Sequence, residues 1–136
     1  MIVVDTNVLA YLLLGGARTP EARRALLRDP EWGAPVLWRS EFRSVLAGFL
    51  RGKALALPDA LRVMDEAETL VEAGGGEYRV ESTAVLELVS ISRCSAYDCE
   101  FVALARELGV SLVTTDREIL LEFPETAVAL DEFGRG

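Results

Sequence analysis

Residues 1–14 read MIVVDTNVLAYLLL. Ile2, Val3 and Val4 form a short, uniformly apolar run, the pattern of a strand buried on both faces of a parallel sheet. The run ends on a carboxylate, Asp5. The polar pair Thr6-Asn7 follows, and a second apolar stretch then begins with helical spacing. A buried strand that stops on a bare acid needs a reason for that acid, and the rest of the chain supplies candidates.

Strand and helix patterns alternate downstream. A helix is expected over residues 7–14. Thr19-Pro20-Glu21 predicts a helix start with Thr19 as N-cap, running to Arg28. Residues 34–37 read as a second strand and 40–51 as a helix with Phe42, Val45, Leu46 and Phe49 facing the core. Leu57-Pro58-Asp59 opens a helix to about Ala73, and Gly74-Gly75-Gly76 reads as a loop. A short strand is expected at 77–80, a helix at 82–91, and a helix from the Ser95 cap to Leu108 stopped by Gly109. Strands at 110–114 and 126–130 flank a short helix at 117–122. This alternation predicts an α/β fold of three layers, with parallel strands between helices. The 136 residues are expected to form one domain spanning 1–136.

Composition removes several chemistries. The chain has no histidine, which excludes Ser-His-Asp and Cys-His nucleophile activation and every His-ligated metal site. Its one lysine, Lys53, follows no phosphate-binding Gly-rich loop. Chemistry must then rest on carboxylates, whose oxygens suit hard cations such as Mg²⁺ and Mn²⁺. Cys94 and Cys99 show no metal spacing and read as buried free thiols. The N-terminal run lacks the basic leader of a secretory signal, and its apolar stretch 8–14 is too short to span a bilayer, so a cytoplasmic protein without a membrane segment is expected. Net charge is −8, yet residues 18–53 carry eight basic side chains against four acids. That zone can steer a polyanion, or it can be a set of ordinary solvated helix faces.

Four acids fall where the carboxyl ends of parallel strands meet one edge, the place where such sheets bind ligands. Asp5 ends the first strand and Asp116 follows the strand of LVTTDREIL. Glu41 lies in the first turn of the helix after PVLWRSEF begins, and Asp98 in the first turn of SAYDCEFVALARELG. Each also has a local explanation. Asp5 can cap a helix, Asp98 and Asp116 stand in capping-box patterns, and Glu41 favours a helix dipole. Together they converge on one crevice, where like charges raise one another's pKa unless a cation intervenes.

Asp5-Thr6-Asn7 at the end of the first strand, Glu41 on a mid-chain helix, Asp98 opening D-C-E-F-V-A-L-A, and Thr114-Thr115-Asp116 together resemble the PIN-domain nucleases. Within them the chain is most similar to the VapC-type toxins of prokaryotic toxin–antitoxin pairs. The resemblance implies a parallel sheet in the order 3-2-1-4-5. It implies Asp5, Glu41, Asp98 and Asp116 as catalytic metal-binding acids, with Asn7 and Thr114 in support. It further implies Mg²⁺- or Mn²⁺-dependent hydrolysis of RNA, a homodimer, and inhibition by a small antitoxin. Arg39 and Arg43, on either side of Glu41, can pair with substrate phosphates or simply face solvent. Trp38 and Tyr97 can stack a base or pack in the core. The alternative function is a PIN-like module that binds RNA or a protein without cutting. A phosphatase acting through an aspartyl phosphate would want a second acid where Asn7 stands.

Overall fold

The computed structural model describes all residues 1–136. The elements run β1 (Ile2–Val4), α1 (Thr6–Leu14), α2 (Thr19–Arg28), β2 (Trp32–Pro35), α3 (Trp38–Arg51), α4 (Leu57–Ala73), β3 (Gly76–Tyr78), α5 (Ser82–Ser90), α6 (Ala96–Leu108), β4 (Leu112–Thr114), α7 (Arg117–Glu122), β5 (Ala127–Ala129) and α8 (Leu130–Arg135). The strands form one sheet in the order β3-β2-β1-β4-β5. Every pairing is parallel: Val3 sits beside Gly33 on one side and Leu112 on the other. The expected order 3-2-1-4-5 and the three-layer α/β architecture are therefore what the chain adopts.

The register follows from burial. All three β1 residues are buried, Val3 and Val4 completely. Complete burial of such a side chain contributes roughly 1.5–3 kcal/mol, and β1 has strands on both sides and helices above and below. From β1 the chain moves outward to β2 and β3, then returns across the sheet to β4 and β5. Right-handed crossovers place helices on both faces when the direction reverses in this way. On one face α1 packs against α2, α3 and α4; α5 packs against α6, and α6 covers β1 and β2. The reversal occurs between β1 and β4, which puts a crevice at their carboxyl ends.

Several boundaries differ from expectation. β2 begins at Trp32 rather than Ala34, because Trp32-Gly33 is strand and not loop. Gly75 has to be small because another backbone needs the space: its amide donates to the Trp32 carbonyl at 3.0 Å. A Cβ on Gly75 would stand 2.5 Å from the Gly33 nitrogen. The triple glycine is thus the close approach that lets β3 pair with β2, and β3 starts within it at Gly76. Thr19 lies inside α2 rather than capping it. Its hydroxyl donates to the Tyr11 carbonyl at 2.5 Å, fastening α2 to α1, while Arg18 occupies the cap position without a side-chain bond. α3 starts two residues early, at Trp38. β4 and β5 are shorter than expected, and Leu130 begins α8, a helix without a sequence cap signal that packs on α2.

The Ser95 cap and the Gly109 stop are both present. Ser95 accepts from the Asp98 amide at 3.1 Å, and Gly109 takes the left-handed conformation at φ 66°. Cys94 and Cys99 are buried free thiols, and burial pushes Cys94 up to about 12. No helix is long and apolar enough to cross a membrane.

Replacing Gly75 by alanine drives a methyl group into the β2 backbone, where no flexible side chain can yield. Overpacking of this kind costs about 1–3 kcal/mol. Chemical denaturation of Gly75→Ala is expected to show that loss, and Gly48→Ala, with open space at its Cβ, is expected to show none.

Candidate active site

Asp5, the acid that ends β1, is 7 % exposed and is fixed from two directions. Its Oδ1 accepts from the Thr6 amide at 2.8 Å, which makes it the N-cap of α1. Its Oδ2 accepts from the Thr114 hydroxyl at 2.7 Å. Thr114 is fully buried at the end of β4, and its hydroxyl oxygen also accepts from the Asp116 amide at 3.0 Å. One hydroxyl therefore ties the end of β1 to the turn that carries Asp116. Asp116 in turn caps α7, accepting from the Ile119 amide at 3.0 Å through Oδ1. Capping and site formation are not alternatives here. The cap uses one oxygen, and Oδ2 of Asp116 accepts nothing from the protein.

Glu41 reaches the same place from α3. Its Oε1 accepts from the Thr6 hydroxyl at 2.8 Å. Thr6 thus holds two acids at once, Asp5 through its amide and Glu41 through its hydroxyl. Sequence reasoning passed over Thr6; the signal available was its place inside Asp5-Thr6-Asn7. Asp98 enters from the first turn of α6. A cleft of about 140 Å³ is lined by Asp5, Thr6, Asn7, Glu41, Val45, Asp98 and Asp116, with no arginine or lysine among them. All four predicted acids and Asn7 meet there, with Thr114 directly behind Asp5.

The electrostatics follow from that composition. Burial, above all, raises the pKa of Asp5, and the charges of Glu41 and Asp116 add to it against the lowering bonds from Thr114 and Thr6. Glu41 is raised by burial and then by Asp98 and Glu100, an acid of α6 that drew no attention in the sequence. Asp98 is pushed up to about 6 by burial and by the charges of Asp116 and Asp5. Three carboxylates are therefore held where their charged forms are disfavoured, which a cation in the cleft would reverse.

The donor set fits a hard divalent ion, since it offers only carboxylate, hydroxyl and amide oxygens. The acids do not, however, form a closed cage: no group of three or more is placed to grip a metal unaided. The four carboxylates expected to share one or two cations line one cleft without closing on a common point. Thr6 restrains Asp5 and Glu41, Thr114 restrains Asp5 and the Asp116 backbone, and the Ile119 amide restrains the Asp116 carboxylate. Mg²⁺ retains several waters and takes few carboxylates directly, so water-filled gaps suit it.

Two other expectations change. Arg39 does not face the cleft. It pairs with Glu77 at 2.6 Å, with Glu72 at 2.8 Å and with Glu68, clamping α3 to α4 and β3. Two residues along a helix is about 200° of rotation, so a neighbour at that offset from Glu41 points away from it. Arg43, at the same offset, is exposed and does not line the cleft. Trp38 is fully buried and meets Phe42 edge-on at 6.0 Å, whereas Tyr97 is 62 % exposed rather than packed in the core.

Residues 2–127 match the sequence pattern of the PIN domain. The chain belongs to the PIN domain family. Among curated proteins, Ribonuclease VapC3 of Pyrobaculum aerophilum is 27% identical over 128 residues, covering 90% of this chain and 95% of the relative. Solved structures share the PIN fold at lower identity. FitAcB from Neisseria gonorrhoeae superposes with a TM-score of 0.73 at 15% identity, covering 96% of this chain and 98% of that one. A toxin-antitoxin complex from Klebsiella pneumoniae gives 0.70 at 16% identity with the same coverage. VapC20 of Mycobacterium tuberculosis, a sarcin-ricin loop cleaving toxin, gives 0.64 at 18% identity over 89% of this chain and 94% of that one.

Two outcomes test this geometry in the PIN domain without metal. Asp98 binds its proton more readily when folded than when unfolded, so between about pH 4 and 6 the native state holds more protons and stability falls as pH rises. The melting temperature in chelator is therefore expected to rise on acidification from pH 7 to pH 5, with a smaller rise in Asp98→Asn. Arg39→Gln leaves three glutamates without their cation and is expected to lower stability by about 1–3 kcal/mol. The check is denaturant unfolding, read beside cleavage per folded molecule, which is expected to be unchanged.

Proposed function

We propose that the chain is a divalent-metal-dependent endoribonuclease, the toxin of a VapBC-type toxin–antitoxin pair, acting in the cytoplasm. The observation that carries this reading is the cleft: four acids from four separate elements share about 140 Å³ with no cation lining it. Membership of the PIN family and the likeness to a curated ribonuclease support the same conclusion.

In this reading Asp5, Glu41, Asp98 and Asp116 hold Mg²⁺ or Mn²⁺, and Asn7 presents its amide at the cleft mouth. Such an ion lowers the pKa of a water and stabilises charge on a phosphoryl oxygen. The protein's own groups set the rest of the geometry. Thr114 and Thr6 fix Asp5 so that its free lone pairs face the cleft, and Thr6 sets the reach of Glu41. Glu41 Oε2 and Asp116 Oδ2, bonded to nothing in the protein, are the oxygens free to ligate or to orient water. With no histidine present, proton removal falls to carboxylates or to the ion-activated water itself. Water attack with the 3′-oxygen as leaving group, rather than attack by the ribose 2′-hydroxyl, leaves a 5′-phosphate on one product and a 3′-hydroxyl on the other.

The reading includes a small antitoxin and a homodimer. An apolar groove of about 660 Å³, lined by Leu12, Leu13, Leu26 and Leu70 between α1, α2 and α4, offers an antitoxin segment a seat. Arg43, exposed and without an ion-pair partner, remains available to an RNA phosphate. One observation favours the competing reading of a module that binds without cutting, namely the absence of a closed ligand cage.

Incubation with a mixed RNA pool decides between them. Fragments with 5′-phosphate ends are expected with Mn²⁺ and none in chelator; intact RNA in both arms would establish the binding module. Asp5→Asn and Asp116→Asn are expected to lower cleavage by at least about a hundredfold, since each removes a ligating charge. Asparagine keeps a carbonyl oxygen for the Asp116 cap, so the melting temperature of Asp116→Asn in chelator is expected to hold or to rise as repulsion is relieved, whereas Asp5→Asn also loses one of the two bonds that Asp5 accepts. A fall of several degrees in both variants would make the acids structural caps.

A further inference from the structure

The connection from β4 to α7 lines two cavities. Asp116 faces the acid cleft between the ends of β1 and β4. Thr114, Thr115 and Arg117 line a second cavity, of about 550 Å³, between the ends of β4 and β5. Parallel pairing puts both cavities on one edge of the sheet. We infer that this second cavity is a nucleotide subsite for the RNA strand, with Arg117 contacting the phosphate next to the one being cut. The inference rests on the ribonuclease reading and names a further part of the same substrate path.

Charge selects Arg117. The cavity is lined by two arginines and two acids, but three of these are already engaged. Arg18 stands 3.8 Å from Glu21 and over the Tyr11 ring at 5.7 Å, and Asp131 pairs with Arg135 at 3.6 Å. Arg117 is exposed and has no carboxylate partner. Beside the acid cleft it is free to meet an anion, whereas Arg39 is enclosed by three glutamates and Arg43 lines neither cavity. Its guanidinium suits a phosphate bidentately.

The rest of the lining fits the remainder of a nucleotide. Leu120, Leu130 and Ala129 form an apolar wall, while the Thr115 hydroxyl, 3.4 Å from the Tyr11 hydroxyl, gives a polar edge. The volume lies within the range of small-ligand pockets. A polyanion attracted only by an acidic cleft and its ion would be poorly held. A neighbouring cation on the same edge supplies the second point of attachment.

The test is fluorescence anisotropy with a short labelled single-stranded RNA in chelator, where no cleavage occurs, paired with cleavage kinetics in Mn²⁺. Arg117→Gln is expected to weaken binding about three- to tenfold and to make the salt dependence shallower by about 0.7 in the log–log slope, the loss of one single-strand phosphate contact. KM is expected to rise with kcat little changed. Arg117→Lys should recover part of the affinity, and Arg51→Gln, exposed at the end of α3 far from Glu41, serves as the control. Affinity and slope in Arg117→Gln equal to those of the control would overturn the subsite, as would a wild-type protein that binds no RNA. Undiminished cleavage alongside such a result leaves the nuclease standing without the subsite. Loss of binding in a protein that never cuts leaves the subsite standing without the nuclease.

Discussion

Repulsion among carboxylates is the constraint around which this molecule is arranged. Burial first, and then the mutual charge of Asp5, Glu41, Asp98 and Asp116 in one cleft, raises the proton affinity of three of them, and that cost has to be met by the surrounding structure. Two threonines meet much of it. Thr114 donates to Asp5 and accepts from the Asp116 amide, while Thr6 gives its amide to Asp5 and its hydroxyl to Glu41. Hydrogen bonds to a charged acceptor are among the stronger ones available. They also fix direction, leaving one oxygen of Glu41 and one of Asp116 unclaimed toward the cleft. A site held this way tolerates empty space that a cation and its waters can fill.

The sheet makes those bonds possible. Thr114 can reach Asp5 only because β4 pairs directly with β1, although the two residues are 109 apart along the chain. β1 is therefore the central strand in a functional as well as a topological sense. Its apolar residues are buried by neighbours on every side, and the first polar residue beyond them emerges at the switch point. The stability of the core and the position of the acid are consequences of the same register.

Much of this was legible because it is local. A three-residue apolar run ending on an acid, serine and aspartate at helix starts, and Gly109 at a helix end all read directly from short windows, and the structure keeps them. What escaped was set by distant partners. Arg39 looked free beside Glu41, but its acids lie 29, 33 and 38 residues away on α4 and β3. Gly75 read as loop because its requirement is the close approach of the β2 backbone, not a turn. Thr19 carried a cap signal that the Tyr11 carbonyl outcompeted. α8 has no cap of its own and exists through its packing on α2, where the Arg28 guanidinium donates to the Phe133 carbonyl at 2.8 Å and lies over its ring.

The acidic balance of the chain, −8 overall, at first argues against a polyanionic substrate, and the arrangement of charge answers that objection. A polyanion does not sense the total; it senses the few charges within a Debye length of its path, about 8–10 Å at physiological salt. At the sheet edge those are the cleft acids, whose charge a divalent ion would reduce, and the arginines beside them. Arg39 is withdrawn into a structural clamp of three glutamates, so it contributes almost nothing outward. Arg117, one residue beyond a cleft acid, retains its full field. A metal-free protein of this design repels RNA at its centre and attracts it only at the flank. A divalent ion in the cleft would reduce the negative charge at the centre, so that a strand held at the flank by Arg117 would meet less repulsion on its way to the acids.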